Sequence, residues 1–163
     1  MNIELRPVTD DNREALLALS VTPAQQEWMA SNQQNLAEAA DAIANSVPVT
    51  QYAIYAEDTV VGYISYLYTA PDADGHWSGN SYMLWRLMID AKYQGKGFGK
   101  SAVEKVLEDV NQQPHGPAKW VFLCYAPENT AAVKLYQQCG FSTAALRYPD
   151  DDPWLRKPLS CAD

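Results

Sequence analysis

The stretch YQGKGFGK, residues 93–100, constrains the fold most strongly, because its three glycines separate two different apolar patterns. The run MLWRLMID before it is typical of a partly buried strand, and SAVEKVLEDV after it repeats apolar residues at helical spacing. Glycine costs conformational entropy and is used where the backbone turns sharply or closely approaches another group. The stretch therefore predicts a strand-to-helix turn whose backbone is approached by a ligand or by another segment.

A phosphate group suits this turn well. The start of a helix carries backbone N–H groups without intrahelical acceptors, together with the positive end of the helix dipole. Gly95, Gly97 and Gly99 alternate, so the amides from Gly95 to Lys100 can curve around a pyrophosphate, with Lys96 and Lys100 adding positive charge. A tight turn without any ligand is the competing interpretation. The P-loop spacing GxxxxGK[ST] and the dinucleotide pattern GxGxxG are both absent from the sequence.

The remaining patterns predict one α/β domain around a mixed sheet. Its 163 residues suit a single domain. The predicted strands are IELRPV, the two arms of the hairpin QYAIYAEDTVVGYISYLYTA, SYMLWRLMID, KWVFLCYA, FSTAALRYP and a last edge strand in DDDPWLRKPL, whose prolines limit its pairing. The predicted helices are TDDNREALLALS, TPAQQEWMAS, NLAEAADAIANS, FGKSAVEKVLEDV and PENTAAVKLYQQCG, the last closing at Gly140.

Charge is distributed unevenly along the chain. Residues 1–75 hold eleven acidic side chains against Arg6 and Arg13, a net charge of −9, whereas residues 76–163 hold nine acidic and ten basic side chains, a net charge of +1. Such a field disfavours nucleic acid and anionic membranes as partners of the first half and attracts cations. A solubilising surface is the alternative interpretation.

Cysteine usage and hydropathy indicate an intracellular protein. Cys124, Cys139 and Cys161 are an odd number without a CxxC pair, which argues against a disulfide framework or a zinc site. The sequence has no apolar stretch near the roughly 20 residues that span a bilayer, and its N-terminus lacks a basic-then-apolar leader. We therefore expect a cytoplasmic protein without a metal site.

The segment ENTAAVKLYQQCGF, residues 128–141, supplies the second functional signal. Asn129 and Tyr136 are seven residues apart, two helical turns, so they share one face of the predicted helix. Taken singly, Asn129 is typical of a helix cap and Tyr136 of a half-buried packing aromatic. Together with the upstream glycine turn they indicate a joint site.

Residues 85–141 resemble the acyl-CoA-binding core of the GNAT superfamily of N-acetyltransferases. LMID followed by YQGKGFGK is similar to the family's Q/R-x-x-G-x-G/A pyrophosphate loop, and ENTAAVKLYQQCGF to its E-N-x-x-A-x-x-L-Y-x-x-x-G-F helix. The wider chain more loosely resembles the bacterial spermine/spermidine acetyltransferases of this superfamily. The resemblance implies one domain over 1–163, with an acceptor-side half at about 1–80 and an acyl-CoA-binding core at about 81–148. Its mixed sheet of six to seven strands, flanked by about four helices, would splay at the acyl-CoA site.

The resemblance also implies roles for individual residues. Acetyl-CoA would be the co-substrate, and the Tyr136 hydroxyl would lie near its sulfur and give the leaving thiolate a proton or a strong hydrogen bond. An amine would attack the acetyl carbonyl directly, without a cysteine nucleophile. The residues expected to bind acetyl-CoA are Leu87, Met88, Ile89, Gln94, Gly95, Lys96, Gly97, Phe98, Gly99, Lys100 and Asn129.

The general base and the acceptor site are less constrained. Family members often carry an acid on the central strand, where this sequence has Trp85 and Arg86. Glu27 is the first candidate base, and Asp72 and Asp74 are further candidates at the acceptor site. Trp28 and Trp85 are expected to line an apolar or cation–π pocket for an alkylammonium chain.

The acidic first half favours a cationic small-molecule amine such as spermine or spermidine as acceptor. The alternatives are an amino-sugar or amino-acid amine, a protein N-terminus, or a non-catalytic acyl-CoA-binding module that lacks a working base. A homodimer is expected by analogy with the family.

Overall fold

The computed structural model describes residues 2–70, 80–143 and 153–160. The strands are β1 (Ile3–Pro7), β2 (Val49–Ala56), β3 (Thr59–Thr69), β4 (Ser81–Ile89), β5 (Trp120–Cys124), β6 (Ser142–Thr143) and β7 (Trp154–Pro158). The helices are α1 (Asp10–Ala18), α2 (Pro23–Gln26), α3 (Asn32–Ala44), α4 (Phe98–Asn111) and α5 (Thr130–Gln138), with a one-turn 3₁₀ helix at Ala91–Tyr93.

All seven strands form one mixed sheet in the order β1-β2-β3-β4-β5-β7-β6. Strands β1 to β4 are antiparallel neighbours, and β4 and β5 are the parallel pair at its centre. The predicted mixed sheet of six to seven strands is confirmed. The glycine-rich stretch follows β4 and leads into α4, which is the predicted strand-to-helix turn.

Helices cover both faces of the sheet because the side chains of its central strands alternate. On β3, Ile64 and Tyr66 belong to the larger apolar cluster, together with Phe98 and Val103 of α4, whereas Tyr63 belongs to a second cluster. That second cluster is completed from α1 and α3 and includes Leu16, Leu36 and Met88. The result is a three-layer α/β arrangement with β4 buried between the layers.

One strand prediction was wrong. The sequence predicts β7 as an edge strand, but it lies between β5 and β6 and pairs with both. Proline is excluded from an interior ladder only where its missing N–H would be needed. Pro153 precedes the strand and Pro158 ends it, so Leu155 and Arg156 are free to pair on both sides.

The helix boundaries also differ from prediction. Helix α2 ends at Gln26, well before the end of the predicted segment TPAQQEWMAS. Helix α3 begins at Asn32, where the Ser31 hydroxyl accepts a hydrogen bond from Gln34 N at 3.2 Å. With the short α2, the described residues form five helices, one for each helical segment that the sequence predicts. Part of the predicted strand FSTAALRYP and the acidic triplet 150–152 lie outside the described residues. No helix in the described part of the chain is long and apolar enough to cross a membrane.

Candidate active site

The sheet opens where β4 and β5 diverge. Within the described strands, their parallel pairing is limited to Tyr82 with Val121 and Met83 with Phe122. Beyond Met83, the β5-facing edge of β4 therefore has backbone groups available to a ligand as far as Ile89. The predicted splay of the sheet is present, and Leu87 to Ile89, which the sequence assigns to acetyl-CoA binding, lie along it.

A large cavity of about 670 Å³ extends from this opening to the glycine-rich turn. Its lining includes every residue that the sequence assigns to acetyl-CoA binding except Lys96. The Lys96 ammonium instead lies 5.9 Å from the centre of the Tyr93 ring, and Lys96 lines a separate cavity on the other side of the loop. The structure therefore gathers strand, loop and helix residues around one space.

The glycine loop presents an open backbone to that space. Gly95 and Gly97 have φ angles of 78° and 83°, and a Cβ built on either would meet no heavy atom within 4 Å. The first intrahelical bond of α4 runs from Ser101 N to Gly97 O at 3.2 Å, so the amides of Phe98 and Gly99 precede it. These residues fit a pyrophosphate, since a helix N-terminus offers N–H donors and positive potential to an anion.

Hydrogen bonds from both flanks hold the loop in place. Gln94 Nε2 donates to Ile89 O at 2.9 Å and to Gln25 Oε1 at 2.8 Å, and Gln25 Nε2 donates back to Gln94 Oε1 at 3.2 Å. The buried Asp90 carboxylate accepts from Lys92 N at 3.0 Å and from Ser20 N at 2.9 Å. The loop is thus anchored to the end of β4 and to the segments beside α1 and α2.

A small cavity of about 110 Å³ lies beside the large one and shares Met29, Leu87, Met88 and Asn129 with it. The register shift between the pairs Ser65–Arg86 and Tyr66–Leu84 places a β-bulge at Trp85 of β4. Bulges re-aim side chains and are common beside functional sites. Here four consecutive residues of β4, Trp85 to Met88, line the small cavity.

Asn129 and Tyr136 both line the small cavity, and Asn129 also lines the large one. Asn129 is the N-cap of α5, with its Oδ1 accepting from Ala132 N at 3.3 Å, and it lines both cavities. Tyr136 is buried, lines the small cavity and packs edge-on against Phe141. Burial raises the pKa of the Tyr136 phenol above its ordinary value, and the thiols of Cys124 and Cys139 add to the increase. The phenol therefore keeps its proton at neutral pH and is a donor.

The predicted acceptor-side residues are only partly brought together. Trp28 and Trp85 both line the small cavity. Glu27 caps the end of α2, is exposed, and is not among the residues that line the described cavities. Asp72 and Asp74 lie outside the described residues. The assignment of Glu27 as base remains a prediction.

Three polar residues at or beside the small cavity escaped the sequence-based reasoning. Asn35 and Arg86 line it, and Glu38 binds Arg86, with Glu38 Oε2 and Arg86 Nη2 2.7 Å apart. The pKa of the Glu38 carboxyl is lowered, first by a hydrogen bond from Gln34 and then by one from Arg86. A polar residue at position 35, on the helical face of the apolar Leu36, was the available sequence signal.

Comparison with known proteins adds to this geometry. The model of the acetyltransferase (GNAT) domain matches residues 2–142. This chain belongs to the GNAT acetyltransferase family. The GNAT chain is 32% identical over 142 residues to the spermine/spermidine N(1)-acetyltransferase of Bacillus subtilis, an alignment covering 86% of this chain and 88% of that protein.

Solved GNAT structures share the fold at lower identity. The PaiA N-acetyltransferase of Thermoplasma acidophilum, solved in complex with coenzyme A, is 16% identical with a TM-score of 0.69, covering 98% of this chain and 100% of that one. An acetyltransferase of Thermus thermophilus is 17% identical with a TM-score of 0.71, covering 98% of each chain. The GNAT protein described here is an acetyl-CoA-dependent N-acetyltransferase.

Proposed function

We propose that this enzyme transfers the acetyl group of acetyl-CoA to a primary amine of a polyamine such as spermine or spermidine. The observation that carries the proposal is the 32% identity to a spermine/spermidine N(1)-acetyltransferase across 86% of the chain. The net charge of −9 in residues 1–75, the half that contributes α2 and α3, supports a cationic acceptor. Trp28 and Trp85 support it further, since indole faces attract alkylammonium groups.

On the donor side, the large cavity would hold acetyl-CoA. The amides at the start of α4 would bind the pyrophosphate, and the unpaired edge of β4 near Leu87 to Ile89 would hydrogen-bond the pantetheine arm. Asn129 lines both cavities and would fix the end of that arm. The thioester would then lie at the junction, beside Tyr136.

Tyr136 would complete the transfer. The amine nitrogen forms a bond to the acetyl carbon, the carbon–sulfur bond breaks, and the departing thiolate requires a proton or a strong hydrogen bond. The buried phenol supplies one, because its raised pKa keeps it protonated. The attacking amine must lose its own proton, since with a pKa of about 10.4 only about one molecule in 10³ is neutral at pH 7. Glu27 is the sequence-based candidate to accept that proton, directly or through water.

A panel of amines tests the proposed substrate class. Rates would be measured with acetyl-CoA and a thiol readout for spermine, spermidine, a neutral amine of similar length, an amino acid and an aminoglycoside. Spermine or spermidine should give the highest kcat/KM, and raising the salt concentration should reduce that advantage through screening. Equal kcat/KM values across differently charged amines would overturn the polyamine assignment while leaving the acetyltransferase assignment intact.

One observation favours a second candidate substrate class. Arg86 lines the small cavity, and its Nε is buried without a hydrogen-bond partner among the described residues. A buried donor is normally paired, and a carboxylate or hydroxyl oxygen of the acceptor would pair it. The amine of an amino acid or amino sugar is therefore the alternative, and a higher kcat/KM for those members of the panel would select it.

A further inference from the structure

Helix α3 turns two asparagines toward the protein interior. Asn32 and Asn35 are 2% and 3% exposed, and they share the inward face with Leu36 and Ala39. Asparagine is mostly an exposed residue, and burying its amide costs free energy unless each polar atom finds a partner. Each donor and acceptor of the two buried amides should therefore have a hydrogen-bond partner.

A chain of hydrogen bonds fixes how both amides are turned. Leu16 O can only accept, so Asn32 must present Nδ2 to it, and the two atoms are 2.8 Å apart. Asn32 Oδ1 therefore faces Asn35 and accepts a hydrogen bond from Asn35 Nδ2, and these two atoms are 3.1 Å apart. Because Nδ2 of Asn35 is committed in this way, its Oδ1 is directed away from Asn32.

The side-chain oxygen of Asn35 is the one atom of this chain of hydrogen bonds that lacks a partner among the residues described. Asn35 Oδ1 is buried, and no described residue donates a hydrogen bond to it. Asn35 also lines the small cavity, together with Trp85 and Arg86 of the bulged strand and with Tyr136. A buried acceptor without a donor is costly in a native structure, so a ligand that enters the cavity with an N–H group would remove that cost.

We propose that Asn35 Oδ1 accepts a hydrogen bond from the nitrogen of the acceptor amine and so positions it for attack on the acetyl group. The proposal rests on the proposed function in requiring an amine acceptor, but it holds for any primary amine. Both the ammonium form and the neutral amine carry N–H donors, so the contact persists when the proton is lost. A water bound to Asn35 Oδ1 is the competing occupant.

Two substitutions separate this role from a structural one. Asn35→Leu and Asn35→Asp both lose the Nδ2 donor to Asn32, but only Asn35→Asp keeps an acceptor oxygen on the side chain at this position. We expect Asn35→Leu to raise the KM of the amine roughly 10- to 100-fold, as for the loss of a hydrogen bond to a charged group. Asn35→Asp should keep that KM within about threefold of the wild-type value or lower it, because the carboxylate attracts a cation.

The assay uses the full-length enzyme, saturating acetyl-CoA and the amine with the highest wild-type turnover in the panel. Calorimetry with coenzyme A should give the same Kd for both variants and the wild type. Ser81→Ala is the matched control, because it removes a buried hydroxyl that also has no partner within the described chain but lies outside the small cavity. Its amine KM should equal that of the wild type.

The outcomes are distinct. Equal KM increases in Asn35→Leu and Asn35→Asp would show a structural role, and unchanged KM in Asn35→Leu would show that the oxygen binds water; either result overturns the proposal. If the wild-type enzyme prefers an amine other than a polyamine, the proposed substrate class is wrong but the role of Asn35 is not yet affected. The Asn35 variants are then compared with the wild type on that other amine.

Discussion

Gln25 and Gln94 exchange hydrogen bonds between their side-chain amides, at 2.8 Å and 3.2 Å. This reciprocal pair joins α2, on the acceptor side, to the loop that would bind the pyrophosphate. Gln94 also reaches the last carbonyl of β4, Ile89 O, at 2.9 Å. This pair of glutamines therefore links the two sides of the site, beside the hydrogen bond from Ser20 N to the Asp90 carboxylate.

Removing this pair should weaken the binding of coenzyme A. Gln94→Ala frees the loop on both flanks, so we expect the Kd for coenzyme A to rise about 10-fold, as for the loss of one or two hydrogen bonds. Gln25→Ala should have a smaller effect in the same direction, and the double variant should be less than additive because the residues share an interaction. Calorimetry measures all three, with the exposed Gln112→Ala at the far end of α4 as control. Strictly additive effects would contradict the coupling.

Gly97 should be required for both the fold of the loop and the binding of coenzyme A. Its φ of 83° is left-handed, so Gly97→Ala should cost about 1 kcal/mol of unfolding free energy and should displace the first amides of α4. Gly140→Ala is the matched control, because Gly140 has a φ of 96° at the end of α5, outside the large cavity. Urea unfolding should show similar losses for both, whereas only Gly97→Ala should raise the Kd for coenzyme A. An equal Kd for the two variants would argue against the anion site.

Tyr136→Phe should separate chemistry from binding. The ring and its contact with Phe141 remain, but the donor to the leaving thiolate is lost, so kcat should fall about 100-fold or more. The Kd for coenzyme A should not change. Tyr125→Phe, in the same cavity, is the control and should keep kcat within about threefold. A Tyr136→Phe enzyme with wild-type kcat would remove Tyr136 from the mechanism.

The raised pKa of Tyr136 also determines in which direction kcat/KM for the amine changes with pH. A proton donor fails only when pH rises through its pKa, which here is shifted above the ordinary value of about 10. The neutral fraction of the amine meanwhile increases about tenfold per pH unit below its own pKa of about 10.4. We therefore expect kcat/KM for the amine to rise from pH 7 to about pH 9.5 in stopped assays, and a decline above pH 8 with the protein still folded would contradict this.

Glu38 should matter through the charge of Arg86. Glu38→Gln leaves the guanidinium without its carboxylate beside the small cavity, so a cationic amine should bind more weakly, with KM about 3- to 10-fold higher at low salt. Added salt should shrink the difference. Asp41→Asn makes the same change of charge at an exposed position on the same helix and should have little effect. Equal KM changes in the two variants would attribute the effect to the net charge.

Sequence reasoning succeeded where a pattern is local. Residue types at fixed short spacings predicted the glycine loop, the N-cap at Asn129 and the end of α5 at Gly140. The structure has the predicted element at each of these places. Sequence reasoning placed Trp28 and Trp85 at the small cavity but missed the polar residues there. The pair of Glu38 with Arg86 joins residues 48 positions apart, and no local periodicity encodes such a contact.

The sequence alone determined the elements of this protein and the turn that distinguishes its family, because helix periodicity, capping and glycine conformations depend on neighbours within a few residues. Only the tertiary structure decided that β7 lies inside the sheet, and that an oxygen of Asn35 is left without a donor beside a cavity. Both depend on which distant backbone and side-chain groups are brought together. Hydrogen bonds between distant segments are settled by the packing of the whole chain.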